Sequence, residues 1–95
     1  MGQAPRRSSR VAYRSIDEEG IVVPIRRSVD EPLQVHALNP VAAFVWRSID
    51  GQRSAEELAR LVAEEFEVEA AQALSDVREF IEELARADLL EEARR

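Results

Sequence analysis

Side chains that commonly carry out catalysis are scarce in this 95-residue sequence. His36 is the single histidine and there is no cysteine, which excludes thiolate nucleophiles, disulfides and transition-metal sites that need a second histidine or a cysteine. No histidine stands at a useful spacing to activate Ser54, which precedes Glu57 by three residues in the pattern of a helix capping box. The three glycines are too far apart to form a phosphate-binding loop. We therefore expect no catalytic residue, no metal, no cofactor and no enzymatic activity.

Acidic residues often stand next to each other, which could suggest a shared proton or a metal ion. Neighbours in a helix, however, diverge by about 100° around the axis, so their carboxylates do not meet at a common point. We interpret these pairs as solvated surfaces. They are Glu18-Glu19, Glu56-Glu57, Glu64-Glu65, Glu82-Glu83 and Glu91-Glu92.

The charge is unevenly distributed along the chain. The net charge is −6, and all 13 basic residues are arginines. Residues 1–14 carry four arginines and no acid, whereas residues 54–95 carry five arginines against thirteen acids, a net −8. Such an acidic segment is a poor partner for phosphate backbones, so we expect no nucleic-acid binding. No apolar run approaches the roughly 20 residues of a membrane span, so we expect a cytoplasmic protein without a membrane partner.

The first part of the chain has the pattern of short strands separated by turns. Residues 1–9 lack periodicity and are predicted to form a flexible tail. Strands are predicted over residues 11–16, 21–25 and 33–38, with Gly20 supplying the positive φ of a tight turn after the first of them. Pro24 cannot donate to a strand ladder and is expected at an edge or a bulge. A polar connection, residues 26–32, precedes the third strand.

Three helices are predicted after residue 39. Asn39 and Pro40 are a typical N-cap and first helical residue, Gly51 is expected to close that helix, and the Ser54 capping box opens the second. The third begins near Glu69, and Asp88 occupies the position after its end, where left-handed conformations are common. The predicted apolar stripes are Ala42, Val45, Trp46 and Ile49, then Leu58, Leu61, Val62 and Phe66, then Leu74, Val77, Ile81 and Leu84.

This order of elements predicts one α+β domain over residues 10–92, winged-helix-like, with a three-stranded antiparallel sheet followed by three helices. A winged helix commonly binds DNA through its third helix. Here that helix carries Glu69, Asp76, Glu79, Glu82 and Glu83 against only Arg78 and Arg86, so phosphate contacts are disfavoured.

The helical part of the sequence resembles the PqqD-like family of small peptide chaperones, also called RiPP recognition elements. The residues that carry the resemblance span 38–66 and 75–90. The first group is Leu38, Asn39, Ala42, Ala43, Val45, Trp46, Asp50 and Gly51; the second is Ser54, Glu56 and Glu57; the third is Asp76, Val77, Phe80, Ile81 and Leu84. The chain departs from the family pattern at Asp88, where glycine is usual, and in the Pro24 to residue 32 region.

The resemblance implies a non-catalytic domain that binds the leader segment of a ribosomally made precursor peptide. The peptide would add as an extra strand along the third strand, with the third helix as the other wall of the site. Its partner would be a modifying enzyme such as a radical SAM protein, a cyclase or a protease. The implied peptide-binding residues are Leu33, Gln34, Val35, His36, Ala37 and Leu38 on the strand, and Ala73, Asp76, Val77 and Phe80 on the helix.

Two other function classes remain open from the residues alone. A winged-helix protein–protein interaction or regulatory module would use the same fold without a leader peptide. An enzyme subunit is the more distant alternative, because no constellation of catalytic side chains is present.

Overall fold

A computed structural model describes residues 4–25, 30 and 34–91 of the chain. Its elements are β1 (Val11–Ile16), β2 (Glu19–Pro24), β3 (His36–Leu38), α1 (Pro40–Ser48), α2 (Ala55–Phe66) and α3 (Ala70–Arg86). The strands form one antiparallel sheet in the order β1-β2-β3. The predicted α+β fold, a three-stranded sheet followed by three helices, is confirmed.

The turn between β1 and β2 differs from the prediction. Asp17 takes the positive φ, at 54°, while Gly20 lies inside β2 opposite Ser15 and is buried. β2 therefore begins two residues earlier than expected. An aspartate tolerates the left-handed region because its short polar side chain can bond locally, so the tight turn did not need the glycine.

Pro24 is the last residue of β2 and pairs with Val11 in β1. The pairing between β2 and β3 ends at Val22 and His36, so Pro24 lies beyond the stretch where β2 has neighbours on both sides. This placement agrees with the expected position of a proline at a strand end. β3 itself is shorter than predicted, since only His36–Leu38 pair with β2 and Leu33 lies outside the described residues.

The helix starts form as the capping residues predict. Asn39 Oδ1 accepts a hydrogen bond from the Ala42 N–H at 2.8 Å. Ser54 Oγ accepts from the Glu57 N–H at 3.2 Å, and Glu57 Oε1 accepts in return from the Ser54 N–H at 2.8 Å. Both caps satisfy N–H groups that have no partner within the helix.

The helix ends agree with the prediction only in part. α1 ends with an extended residue, Ile49, and not with Gly51, which takes a φ of 78° two residues later. At the end of α3, Asp88 has a φ of 64°. The Asp88 N–H donates to Ala85 O at 3.1 Å and the Leu89 N–H donates to Leu84 O at 2.9 Å. These two bonds form a Schellman motif, which turns the chain back onto the core.

The core lies between the sheet and the three helices. Trp46 is almost completely buried, and its ring centroid is 6.2 Å from that of Tyr13. The predicted stripes supply most of the buried residues, although Ala43 replaces Ala42 and Ala59 replaces Leu61 as the more deeply buried positions. The buried residues are Val22, Leu38, Ala43, Val45, Trp46, Ile49, Leu58, Ala59, Val62, Ala73, Val77, Leu84 and Leu89.

Within the segment predicted to be a flexible tail, Pro5, Arg6 and Ser8 make backbone hydrogen bonds to other parts of the chain. The Ser8 N–H donates to Leu89 O at 3.0 Å, and the Glu91 N–H donates to Arg6 O at 2.8 Å. The Gly51 N–H donates to Pro5 O at 3.0 Å. The Arg7 guanidinium lies 5.8 Å from the centroid of the Trp46 ring. Composition gave no sign of this, because the pairing uses backbone atoms and needs no apolar periodicity.

Candidate functional site

An open cleft of about 600 Å³ lies between β3 and α3. Its floor is formed by apolar side chains from α1, from the end of α3 and from the segment that follows it. Val45, Leu84 and Leu89 in this floor are buried, while Val41 and Ala42 are half-buried. The arrangement leaves a groove with an apolar base that is open to solvent on one side.

One wall of the cleft is the free side of β3. β3 pairs with β2 on one side only, and within the described ranges no further strand lies against its other side. Successive strand residues direct their N–H and C=O groups alternately to the two sides. The segment 34–38 therefore presents backbone donors and acceptors to the cleft. Val35 there is 57% exposed, and Ala37 is exposed as well.

The other wall is one face of α3, which combines apolar and acidic residues. Val77, Phe80 and Leu84 form the inner part of this face, toward the core. Asp76, Glu79 and Glu83 line the outer part and are exposed. Spacings of three and four residues place each set on a common side of the helix.

His36 is the polar side chain that β3 contributes to the cleft. The residue is half-buried, and its Nε2 atom is shielded from solvent and has no hydrogen-bond partner among the described residues. A shielded polar atom without a partner carries a desolvation cost. A ligand or an ordered water in the cleft would lower that cost if it reached Nε2.

The structure brings most of the predicted site residues together. Ala73 is completely buried and faces the core one turn before Val77, so it does not line the cleft. Gln34 is exposed beside the cleft, and Leu33 lies outside the described residues. The predicted residues that do line the cleft are Val35, His36, Ala37, Leu38, Asp76, Val77 and Phe80.

The cleft is completed by eight residues that were not among the predicted site residues. On α3, helical spacing could have identified Glu79 and Glu83. They follow the predicted Asp76 by three and seven residues, which places them on the same side of the helix. At α1, Asn39 was predicted only as the helix cap, and Ala42 and Val45 were predicted only as core residues of the apolar stripe. The additional lining residues are Asn39, Val41, Ala42, Val45, Glu79, Glu83, Leu84 and Leu89.

The shifted acidic groups lie outside the cleft. Hydrogen bonds from the Arg53 and Gln52 N–H groups, together with the Arg53 guanidinium, hold the pKa of Asp50 below its ordinary value. The backbone N–H of Glu56 and a hydrogen bond from Arg78 likewise lower the pKa of Glu56. A carboxyl that acts as a general acid needs a raised pKa, so that it is protonated near neutral pH, and neither of these carboxyls has one. Within the described ranges, no group of three or more histidine, cysteine or acidic residues is placed to hold a metal ion.

A family model described as coenzyme PQQ synthesis protein D (PqqD) matches residues 17–90. The chain belongs to the PqqD family. The match covers β2, β3 and all three helices of this PqqD-family chain, and it confirms the resemblance seen in the sequence. It includes the segments that form both walls of the cleft.

A solved structure, that of TbiB1 in complex with the TbiA(beta) leader peptide, has the same fold. The two structures align with a TM-score of 0.78 at 22% sequence identity, over 95% of this chain and 99% of that chain. At this identity the similarity establishes the fold.

No curated protein matches this PqqD-family chain. Among the described residues, no helix is both long and apolar enough to cross a membrane.

Proposed function

We propose that this PqqD-family chain is a non-catalytic domain that binds the leader segment of a ribosomally made precursor peptide. The peptide lies in the cleft as a fourth strand beside β3, with α3 as the opposite wall. The observation that carries the proposal is the free side of β3, which faces α3 across an apolar groove. The structural similarity to TbiB1, which was solved with a leader peptide, supports it.

Strand addition suits this cleft for a physical reason. A peptide backbone that pairs with residues 34–38 forms hydrogen bonds with N–H and C=O groups that are otherwise hydrogen-bonded only to water. The apolar base then buries alternate side chains of the peptide, and that burial supplies sequence selectivity. In this proposal Val35, His36, Ala37 and Leu38 form the strand side of the site, with Gln34 beside them, and Asp76, Val77 and Phe80 form the helix side. Leu33, also expected on the strand side, lies outside the described residues. Ala73 supports the helix wall from the core.

The bound leader is then presented to a modifying enzyme, such as a radical SAM protein, a cyclase or a protease. The chain itself performs no chemistry in this scheme. A carrier that holds the leader leaves the rest of the precursor free to reach an active site elsewhere. The proposed binding unit covers residues 10–92, together with the contacts that residues 4–9 make to it.

The test is amide chemical-shift mapping with the leader segment of a short precursor peptide encoded beside this chain's gene. We expect the largest perturbations at residues 34–38 and on the cleft side of α3. Perturbations confined to residues 54–66, with residues 34–38 unchanged, would rule out strand addition even if the peptide bound.

A proline variant separates backbone pairing from side-chain contact. Val35→Pro removes an N–H and distorts the strand edge, whereas Val35→Ala removes only side-chain atoms. Val35 lies just outside the residues that pair with β2, so the proline removes none of the pairing within the sheet. We expect Val35→Pro to weaken leader binding at least tenfold, about 1.4 kcal/mol, and Val35→Ala to weaken it much less. Arg60→Ala, an exposed position on α2, serves as the distant control.

A second candidate function, an interaction module that needs no leader peptide, is favoured by the outer face of the sheet. The strand register places Ile16, Ile21 and Val23 on the face opposite the helices, and Ile16 is 46% exposed. An apolar sheet face of this kind can bind another protein. The same mapping experiment distinguishes the two functions, because this alternative predicts no response of the cleft to any leader peptide.

A further inference from the structure

The charge of the cleft is one-sided. Asp76, Glu79 and Glu83 line it from α3, and none of the described residues that line it is a lysine or an arginine. Of these carboxylates, Asp76 accepts a hydrogen bond from the neutral Gln72 side chain, with 2.8 Å between Gln72 Nε2 and Asp76 Oδ1. Because Gln72 is neutral, that bond does not change the negative charge of the acidic row formed by Asp76, Glu79 and Glu83.

The arginines of α3 do not neutralise this acidic row. Arg78 Nη2 lies 2.7 Å from Glu56 Oε2 on α2. Arg86 Nη1 lies 3.9 Å from Glu82 Oε1, one turn earlier on the same helix. Both cations therefore have other carboxylates as partners, and the cleft keeps its negative rim.

An occupant of the cleft must match an apolar base and an acidic rim at the same time. Lysine and arginine have this character, since their aliphatic stems pack on apolar surface while their charged ends stay in a polar environment. A stem lying against Phe80 would bring its cation to Glu79 or Glu83. An aspartate or glutamate in the same place would meet charges of its own sign.

We infer that the peptide bound by this cleft carries lysine or arginine on the side that faces α3. The inference rests on the proposed function and adds the chemical class of the peptide. Glu79 and Glu83 are separated by about 6 Å along the helix axis, close to the ~6.8 Å between alternate residues of an extended strand. A pair of basic residues two positions apart therefore fits the row best.

A display library of short random peptides tests the inference on the native chain and on two variants that lose the same charge. Glu79→Gln/Glu83→Gln removes charge from the cleft, and Glu64→Gln/Glu65→Gln removes it from exposed positions on α2. Each of the three proteins selects binders from the same library. We expect lysine and arginine at alternate positions in peptides enriched by the native chain and by the α2 variant, with no such bias for the cleft variant.

Binding of a synthetic copy of the most enriched peptide gives the quantitative test. We expect the cleft variant to bind it about fivefold to tenfold more weakly than the native chain at low salt, with the α2 variant close to native. The difference in affinity should nearly disappear at about 1 M salt, because the Debye length is then only about 3 Å and exposed charges are largely screened from each other. A charge exchange completes the design. A copy of the peptide whose basic residues are replaced by glutamate should bind weakly to the native chain and more tightly to the Glu79→Lys/Glu83→Lys variant.

Failure of the inference and failure of the proposed function give different results. Enriched peptides that lack a basic bias, or that bind equally to the cleft and α2 variants, would overturn the inference. If those peptides lose affinity for Val35→Pro, strand addition still holds. If the native chain enriches no peptide, or only peptides that bind the Val35→Pro variant equally well, both are overturned.

Discussion

At the level of single residues, Gly20 shows how the sheet leaves space for an aromatic ring. A Cβ added to Gly20 would lie 2.6 Å from Tyr13 Cε1 and 2.8 Å from the Tyr13 hydroxyl oxygen. The Tyr13 ring is held in place by Trp46, and its hydroxyl accepts a hydrogen bond from Arg47 Nη1 at 3.3 Å. Gly20 is thus required for space and not for a special backbone conformation.

We predict that Gly20→Ala lowers the free energy of unfolding by about 1–3 kcal/mol, the usual cost of overpacking. Denaturant unfolding measures this directly. The matched control is the same substitution in a Tyr13→Ala background, where the added methyl group has room and should cost much less. An equal cost in both backgrounds would show that the Tyr13 ring is not the obstacle.

At the level of elements, the end of α3 offers a position where glycine should be better than the native residue. Asp88 has a φ of 64°, a conformation that costs an L-residue free energy but costs glycine almost none. We predict that Asp88→Gly raises the free energy of unfolding by about 0.5–1 kcal/mol. Thermal and denaturant unfolding would both report it.

The control for Asp88→Gly is Ala85→Gly, at an exposed position inside α3. Glycine there should lower the free energy of unfolding by about 1 kcal/mol, because it only adds backbone freedom to the unfolded chain. Changes of the same sign at both positions would contradict the explanation from the positive φ.

The loop between α1 and α2 should make stability depend on pH. Asp50 accepts hydrogen bonds from the Gln52 and Arg53 N–H groups, each at 2.9 Å, and its pKa is lowered in the folded chain mainly by the bond from Arg53. Its stabilising contribution is therefore present above the unfolded pKa, about 3.9, and is lost as the pH falls through the lower folded value.

We predict that the free energy of unfolding of the native chain falls more steeply below about pH 4 than that of Asp50→Asn. An NMR titration of the Asp50 carboxyl carbon gives the folded pKa independently. A value at or above that of an unfolded aspartate would contradict the role assigned to these two N–H groups.

The sequence predicted elements well where a local pattern determines them. The caps at Asn39 and Ser54 and the turn at Asp88 depend on residues within a few positions of each other. The short length of β3 and the placement of Gly20 depend on partners elsewhere in the fold, which a local pattern does not contain. Glu79 and Glu83 differ from these two cases, because their helical spacing from the predicted Asp76 was visible in the sequence and was not used.

At the level of the whole molecule, the charge distribution argues against a DNA-binding winged helix. The exposed side of α3 carries Asp76, Glu79, Glu82 and Glu83, and this helix would have to enter the major groove. We predict no sub-micromolar binding to duplex DNA at about 0.15 M salt. A fluorescence titration checks this, and tight binding with a steep salt dependence would contradict it.

The pairing of residues 6–8 with the segment after α3 has a consequence for the order of folding. These partners are separated by nearly the whole chain, so closing the contact costs more loop entropy than any local pairing. We expect it to form last and to open first, and the amides of Ser8 and Glu91 to exchange hydrogen faster than those of the helices. Leu89 accepts the bond from Ser8 and also lines the cleft. An occupied cleft should therefore slow the exchange of an amide that it does not touch.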